Sequence, residues 1–319
     1  MFNAKKIQKV VVLGTGGTIA GTGSSALVHT AYTAGQLSVQ HLLDAMPGLQ
    51  DSLQGHELVS EQLAQLDSKD MGHATWQVLA QRCVHWLSQA EVDAIVITHG
   101  TDTLEETAWF LHRVLDSHKP VVLTCAMRPA TALAPDGPQN LMDAMVVACD
   151  AMSRGVLAVC AGRIHSALEV QKVHPYRLDA FSSGESGPLG FVEQGTVRWR
   201  GKAPGPAVHT RTSCALTVSV AEWPWVAVMH SHAGADARQV SAWVSAGVKG
   251  LVVAGTGNGT LHQDVQTALA QAQDQGVAVR LVTRCAEGQI VGETASFQTA
   301  PRGLNAFKAR ISLMLELLG

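Results

Sequence analysis

Charge is scarce in this sequence. Charged side chains make up 15% of its 319 residues against 46% apolar, and the formal net charge is -3 with no basic block. That excludes the electrostatic footprint of a nucleic-acid surface and a polybasic membrane patch. No run reaches the roughly 18 apolar residues of a membrane span. The first residues, MFNAKKIQKVVVLGTGG, reach a strand and a glycine turn before any apolar segment of signal-peptide length develops. No C-x-x-C pair occurs. The six cysteines (Cys83, Cys125, Cys149, Cys160, Cys214, Cys285) lie singly and are expected to be buried reduced thiols of a cytoplasmic protein rather than a disulfide framework or zinc site. The 14 histidines are scattered, and His230 and His232 have no third ligand near them in sequence, so no metal is expected. Tyrosine is rarer still, with two residues.

What is present is a pattern of apolar strands breaking into polar turns. Asp93 to Thr98 reads as a buried parallel strand, because an apolar run without alternation needs cover on both faces. His99-Gly100-Thr101-Asp102 is its turn. Thr103 and Glu106 have the spacing of a capping box, so a helix starts there with Leu104, Ala108, Leu111 and Leu115 on one face. In an open α/β sheet the carboxyl ends of the strands border the ligand crevice, which puts Thr101 and Asp102 at its mouth. A second such turn, Gly14 to Gly21, follows the strand Lys9 to Leu13. Ile19 stands where a dinucleotide loop needs glycine and Thr22 where a phosphate loop needs lysine, so no nucleotide cofactor is expected. The glycines instead indicate close backbone approach to something small, with Thr15 and Thr18 presented to it. Residues 22 to 35 are small, polar and glycine-flanked, which suits a flap carrying Tyr32.

Further strands are expected at His56 to Ser60, Pro120 to Thr124 and Gly155 to Cys160, with helices at Ser38 to Met46, His73 to Ala90 and Asn140 to Met152. This alternation predicts a parallel sheet with right-handed crossovers. The chain exceeds the size at which single cores stop growing, so two domains are expected. The composition shift after Gly195 marks residues 195–222 as a linker between an α/β domain over 1–194 and a smaller, flavodoxin- or Rossmann-like α/β domain over 223–319. The latter has its own strand-end turn, Gly255 to Thr260. Lys172 reads locally as a solvated lysine, and Glu105 and Glu106 as caps or solvated groups.

The two turns, Gly16-Gly17-Thr18-Ile19-Ala20-Gly21 and His99-Gly100-Thr101-Asp102-Thr103-Leu104-Glu105-Glu106-Thr107, resemble the signature segments of the bacterial L-asparaginase family. The similarity extends to Ala126-Met127-Arg128-Pro129, Asp136-Gly137-Pro138, Gly187-Pro188-Leu189-Gly190 and Gly257-Asn258-Gly259. The resemblance implies a cofactor-free amidohydrolase that converts L-asparagine to L-aspartate and ammonia through a threonine acyl-enzyme. L-Glutamine or another small amide is the alternative substrate, and an amino-acid-binding homologue of feeble activity the alternative function. It further implies a tetramer of two intimate dimers, with each site shared between neighbouring subunits.

By motif match, Thr18 corresponds to the nucleophile and Tyr32 to its activating partner. Thr101, Asp102 and Lys172 correspond to a proton-transfer set, Asp102 also to a substrate ligand. The backbone N–H groups of the Thr101 turn offer an oxyanion site. Ser68 corresponds to the ligand of the substrate α-carboxylate. Lys69 occupies the next substrate-binding position, where the family usually has glutamine or glutamate, and a cation there repels a substrate ammonium unless it turns toward a carboxylate. Asn258 of a neighbouring subunit is expected to close the site, with Glu287 and Glu293 as candidates for its acidic residue.

Overall fold

The run Lys9–Gly16 forms the first strand, β1, and its Val10, Val11, Val12 and Leu13 are fully buried. The structure, a computed structural model, describes residues 8–28, 30–116, 118–201, 212–292, 297–301 and 303–319. It divides into two units, Met1–Val208 and His209–Gly319.

In the first unit β2 (Thr22–Gly23) and β3 (Tyr32–Thr33) pair as a short antiparallel hairpin. Helix α1 (Val39–Asp44), capped by the Ser38 hydroxyl, and the single turn α2 (Leu49–Ser52) lead into β4 (Glu57–Leu66). Then α3 (His73–Leu87), β5 (Val92–Thr98), α4 (Leu104–Val114), β6 (Val121–Thr124), α5 (Gly137–Cys149) and β7 (Val156–Cys160) alternate. The strands β4, β1, β5, β6 and β7 lie side by side in that order, all parallel. Counted along the chain this is the order 2-1-3-4-5 of flavodoxin-like sheets, whose switch point falls between the first and third strands. Those strands are β1 and β5, the two that carry the signature turns.

The sheet does not end as a parallel one. Strands β8 (Arg163–Ser166), β11 (Gly190–Glu193) and β12 (Thr196–Trp199) extend it antiparallel beyond β7, so the expected all-parallel sheet is a mixed one of eight strands. Between them β9 (Gln171–Lys172) and β10 (Phe181–Ser182) make a separate two-stranded ribbon. Strand β12 falls inside the segment expected to be a linker. Its exposed Thr196 and Arg198 alternate with half-buried Val197 and Trp199, and Arg198 pairs with Glu193 at 2.6 Å across the hairpin. An edge hairpin of this kind carries the same polar, glycine-flanked composition as a linker. Residues 202–211 of that segment lie outside the described residues.

Helix α4 is enclosed by its surroundings. Leu104, Ala108, Phe110 and Leu111 are fully buried, and Phe110 stacks on Trp76 of α3 with ring centroids 5.0 Å apart. The second unit holds three parallel strands in chain order, β13 (Val226–His230), β14 (Gly250–Gly255) and β15 (Ala278–Thr283). They are covered by α6 (Arg238–Ser245), α7 (Gln263–Asp274) and α8 (Ala306–Leu318). Among the described residues no helix is long and apolar enough to cross a membrane.

Candidate active site

Three strand-end turns meet at the carboxyl edge of the first sheet. β1 and β5 run in register to Gly14 opposite Thr98, and just beyond them the backbones of Gly17 and Gly100 touch. A Cβ on Gly17 would sit 2.4 Å from Gly100 Cα, and one on Gly100 would sit 2.5 Å from Ser68 Oγ, at the end of β4. Gly17 also has φ 80°, in the left-handed region open to glycine. Its N–H donates to Leu66 O at 2.8 Å, tying the first turn to the third.

Thr18 opens a single 3-10 turn and is buried, with its Oγ1 2.7 Å from Tyr32 Oη. Tyr32 reaches it from β3 because Gly21 has no side chain, since a Cβ there would lie 2.8 Å from the tyrosine ring. The hairpin stem is in turn laced to the segment after β6: Ala130 N–H donates to Gly21 O at 2.9 Å, and Gly23 N–H to Thr131 Oγ1 at 2.8 Å. Thr15 is not presented to a ligand. It is buried and donates to Thr98 O at 2.9 Å, bracing β1 against β5.

On the second turn Lys172 brings the rest of the set together. Its Nζ donates to Thr101 Oγ1 at 2.7 Å and to Asp102 Oδ1 at 2.6 Å. The lysine that sequence alone makes a surface residue is therefore only 18% exposed, its carboxylate partner 52%. Asp102 N–H donates to Ser68 Oγ at 3.1 Å, so it is not available to an oxyanion, and the Ser68 hydroxyl proton is left as a donor. Thr103 occupies the helix N-cap but makes no side-chain cap. Its hydroxyl donates instead to Ser68 O at 2.8 Å, on the third turn.

Lys69 turns away from the role its charge suggested. Its Nζ donates to Asp67 Oδ2 at 2.8 Å and Asp70 Oδ2 at 3.1 Å, and these two hydrogen bonds raise its pKa. The side chain is 61% exposed. The condition for a non-repulsive lysine, a nearby carboxylate, is met twice over.

Two features of the site have no signal in the local sequence. Glu105, expected as a cap or a solvated group, is buried, and its Oε2 accepts the backbone N–H of Lys172 at 2.6 Å. Beneath the second turn runs a buried chain: Trp76 Nε1–H donates to Thr107 Oγ1 at 2.9 Å, and Thr107 lies 2.9 Å from His99 Nε2. The Gly100 carbonyl, 2.7 Å from His99 Nδ1, can only accept, so Nδ1 carries the proton of the neutral ring and Nε2 is left to accept the Thr107 hydroxyl proton. Burial lowers the His99 pKa to about 4, against the hydrogen bond to Gly100 that raises it, so the ring is a neutral strut under the turn.

In the second unit Asn258 is committed locally. Its Nδ2–H donates to Val291 O and its Oδ1 accepts Val291 N–H, both at 2.8 Å, bracing the Gly257–Gly259 turn against the segment that carries the exposed Glu287. Glu293 lies outside the described residues. The cysteines are all free, but only Cys83, Cys125 and Cys160 are buried as expected; Cys149 and Cys214 are half-buried, and Cys285, past the end of β15, is exposed.

Comparison with known proteins finds matches over nearly the whole chain. Residues 9–205 match the family model described as asparaginase, N-terminal, and residues 225–318 the one described as glutaminase/asparaginase C-terminal domain. The chain is 36% identical to L-asparaginase 2 of Escherichia coli (strain K12) over 322 residues, 98% of this chain and 90% of that protein. It is 35% identical to the glutaminase-asparaginase of Pseudomonas fluorescens biotype A, over 98% of this chain and 87% of that one. A crystal structure of a probable cytoplasmic L-asparaginase from Campylobacter jejuni superposes with a TM-score of 0.90 at 34% identity, covering 97% of this chain and 95% of the other.

Proposed function

The chain belongs to the asparaginase family, and from that premise we propose that it hydrolyses the side-chain amide of L-asparagine, giving L-aspartate and ammonia, with Thr18 as nucleophile. The observation that carries this reading is the pairing of two threonine hydroxyls, each with its own proton partner, on two turns whose glycines touch. A threonine hydroxyl is a weak nucleophile until its proton is taken. As Thr18 Oγ1 attacks the amide carbon, its proton passes to Tyr32 Oη, 2.7 Å away, and on to the departing nitrogen. The C–N bond breaks, ammonia leaves, and Thr18 carries the acyl group as an ester. Water then attacks that ester: one of its protons is taken up by the Thr101, Lys172 and Asp102 set and returned as the C–O bond breaks, so that the Thr18 oxygen regains a proton in place of the one that left with ammonia, and the other stays with the carboxylic acid released. Ser68 donates to the substrate α-carboxylate, and Asp102 receives its ammonium through a charge-assisted hydrogen bond.

Lys69, paired with Asp67 and Asp70, leaves their loop net negative and does not oppose that ammonium. The tetramer that the family resemblance implies, with a neighbour's Asn258 closing each site, is carried to this chain as part of the proposal, as is a cytoplasmic location. Glutamine is the second substrate to be weighed, because the Pseudomonas fluorescens relative is named for both activities and one methylene in a pocket discriminates by only about 1–3 kcal/mol. Ammonia release from L-asparagine, L-glutamine and D-asparagine, measured side by side, ranks the substrates. Thr18→Ala is expected to lose about a thousandfold or more in kcat while keeping its thermal midpoint. Full activity in that variant would overturn the assignment.

A further inference from the structure

Lys172 sits on β9, a strand of two residues that, among the described residues, pairs only with the two residues of β10 and stands outside the eight-stranded sheet. A ribbon of that length has little stability of its own and cannot hold a side chain to a few tenths of an ångström. Yet Lys172 Nζ meets Thr101 Oγ1 at 2.7 Å and Asp102 Oδ1 at 2.6 Å. What anchors the strand at this point is the carboxylate of Glu105, which accepts the Lys172 backbone N–H at 2.6 Å. Glu105 stands in the first turn of α4, a buried helix, and is itself 6% exposed. Thr101, Asp102 and Glu105 thus grip one residue at both ends, the ammonium from the turn and the main chain from the helix.

We propose that Glu105 is a positioning residue for Lys172: by accepting its backbone N–H, it sets the reach of the lysine to Thr101 and Asp102. The inference rests on the asparaginase reading above for its consequence in catalysis, but not for the contact itself. The property that matters is the reach of an acceptor oxygen, not the charge. Two variants of the full chain separate these. Glu105→Gln keeps the length and an acceptor oxygen while removing the charge. Glu105→Asp keeps the charge and withdraws the acceptor by one methylene.

Three readouts are taken on each variant: kcat and KM for ammonia release from asparagine, the rate at which trinitrobenzenesulfonate labels Lys172 as followed by peptide mass spectrometry, and the thermal midpoint. Glu105→Gln is expected to retain at least about a third of wild-type kcat. Glu105→Asp is expected to lose about tenfold to a hundredfold in kcat, the scale of a buried donor left without its acceptor, with KM within threefold and Lys172 labelled several times faster. If Glu105→Asp matches wild type in kcat and labelling, or if Glu105→Gln loses more than Glu105→Asp, the proposal is wrong. Equal losses in both variants that follow their thermal midpoints also overturn it, as a general structural role would produce them. Should Thr18→Ala stay active, the catalytic reading fails, while the labelling rate, which needs no hydrolysis, still reports whether Glu105 holds the lysine.

Discussion

Thr107→Val tests the buried chain under the second turn with almost no change of shape. Valine fills the volume of threonine but can neither accept the Trp76 indole N–H nor donate to His99 Nε2, both at 2.9 Å and both buried. Each stranded polar atom costs about 1–3 kcal/mol, so the variant is expected to lose roughly 2–6 kcal/mol. Thr107→Ser keeps the hydroxyl and removes one buried methyl, at about 1 kcal/mol. Urea unfolding followed by tryptophan fluorescence separates the two, with the midpoint falling clearly further for valine than for serine at unchanged slope. A valine variant within about half a kcal/mol of wild type would mean that the chain is not a strut and that the turn holds itself.

The same histidine predicts a pH dependence. His99 has a pKa of about 4 in the fold against an ordinary 6.5, so between those values the unfolded chain binds a proton that the folded one refuses. Its contribution is complete above pH 6.5 and is lost as the pH falls toward 4, by about 3 kcal/mol in all. The difference in unfolding free energy between wild type and His99→Gln should shrink over that window, and a constant difference would refute it. Gly17→Ala combines a left-handed φ of 80° with a Cβ 2.4 Å from Gly100 Cα, so a loss of roughly 2–6 kcal/mol in unfolding free energy is expected. An unchanged thermal midpoint would show that the turns can part freely. Lys69→Gln is expected to lower KM for asparagine by less than threefold, because an exposed lysine already paired with two carboxylates has little field left to remove. A rise in KM, or a fall beyond tenfold, counts against that.

How much was legible depends on how far each residue's partner lies along the chain. The strands β1 and β5 could be read because their apolar runs declare burial on both faces, and the turns after them because polar residues and glycine interrupt those runs. The four-residue strands β8, β11 and β12 could not, since R-I-H-S, G-F-V-E and T-V-R-W become strands only beside one another. Thr18 and Tyr32 share one stretch of sequence, whereas Lys172 lies 71 positions from Thr101 and carries no local mark, so only a family resemblance singles it out. Glu105 and Thr103 read differently in sequence for the same reason: the spacing of a helix start explains both locally, and their actual partners, Lys172 on β9 and Ser68 in the turn after β4, lie far along the chain. Lys69 was legible as a charge but not as a paired one, although Asp67 and Asp70 flank it.

The contact between Gly17 and Gly100 has a consequence for how this protein could be altered. Where main chain rests on main chain, the separation of the two threonine turns is a property of the sheet, and no choice of rotamer can lengthen or shorten it. Adaptation to a longer amide therefore has to come from the parts that are not so joined. On the first unit these are the Tyr32 hairpin, hung from Thr131 and Ala130, and the loop of Asp67, Ser68, Lys69 and Asp70. Variation aimed at the glycines would dismantle the machinery; variation in those two segments around an unchanged Tyr32 and Ser68 would retune it.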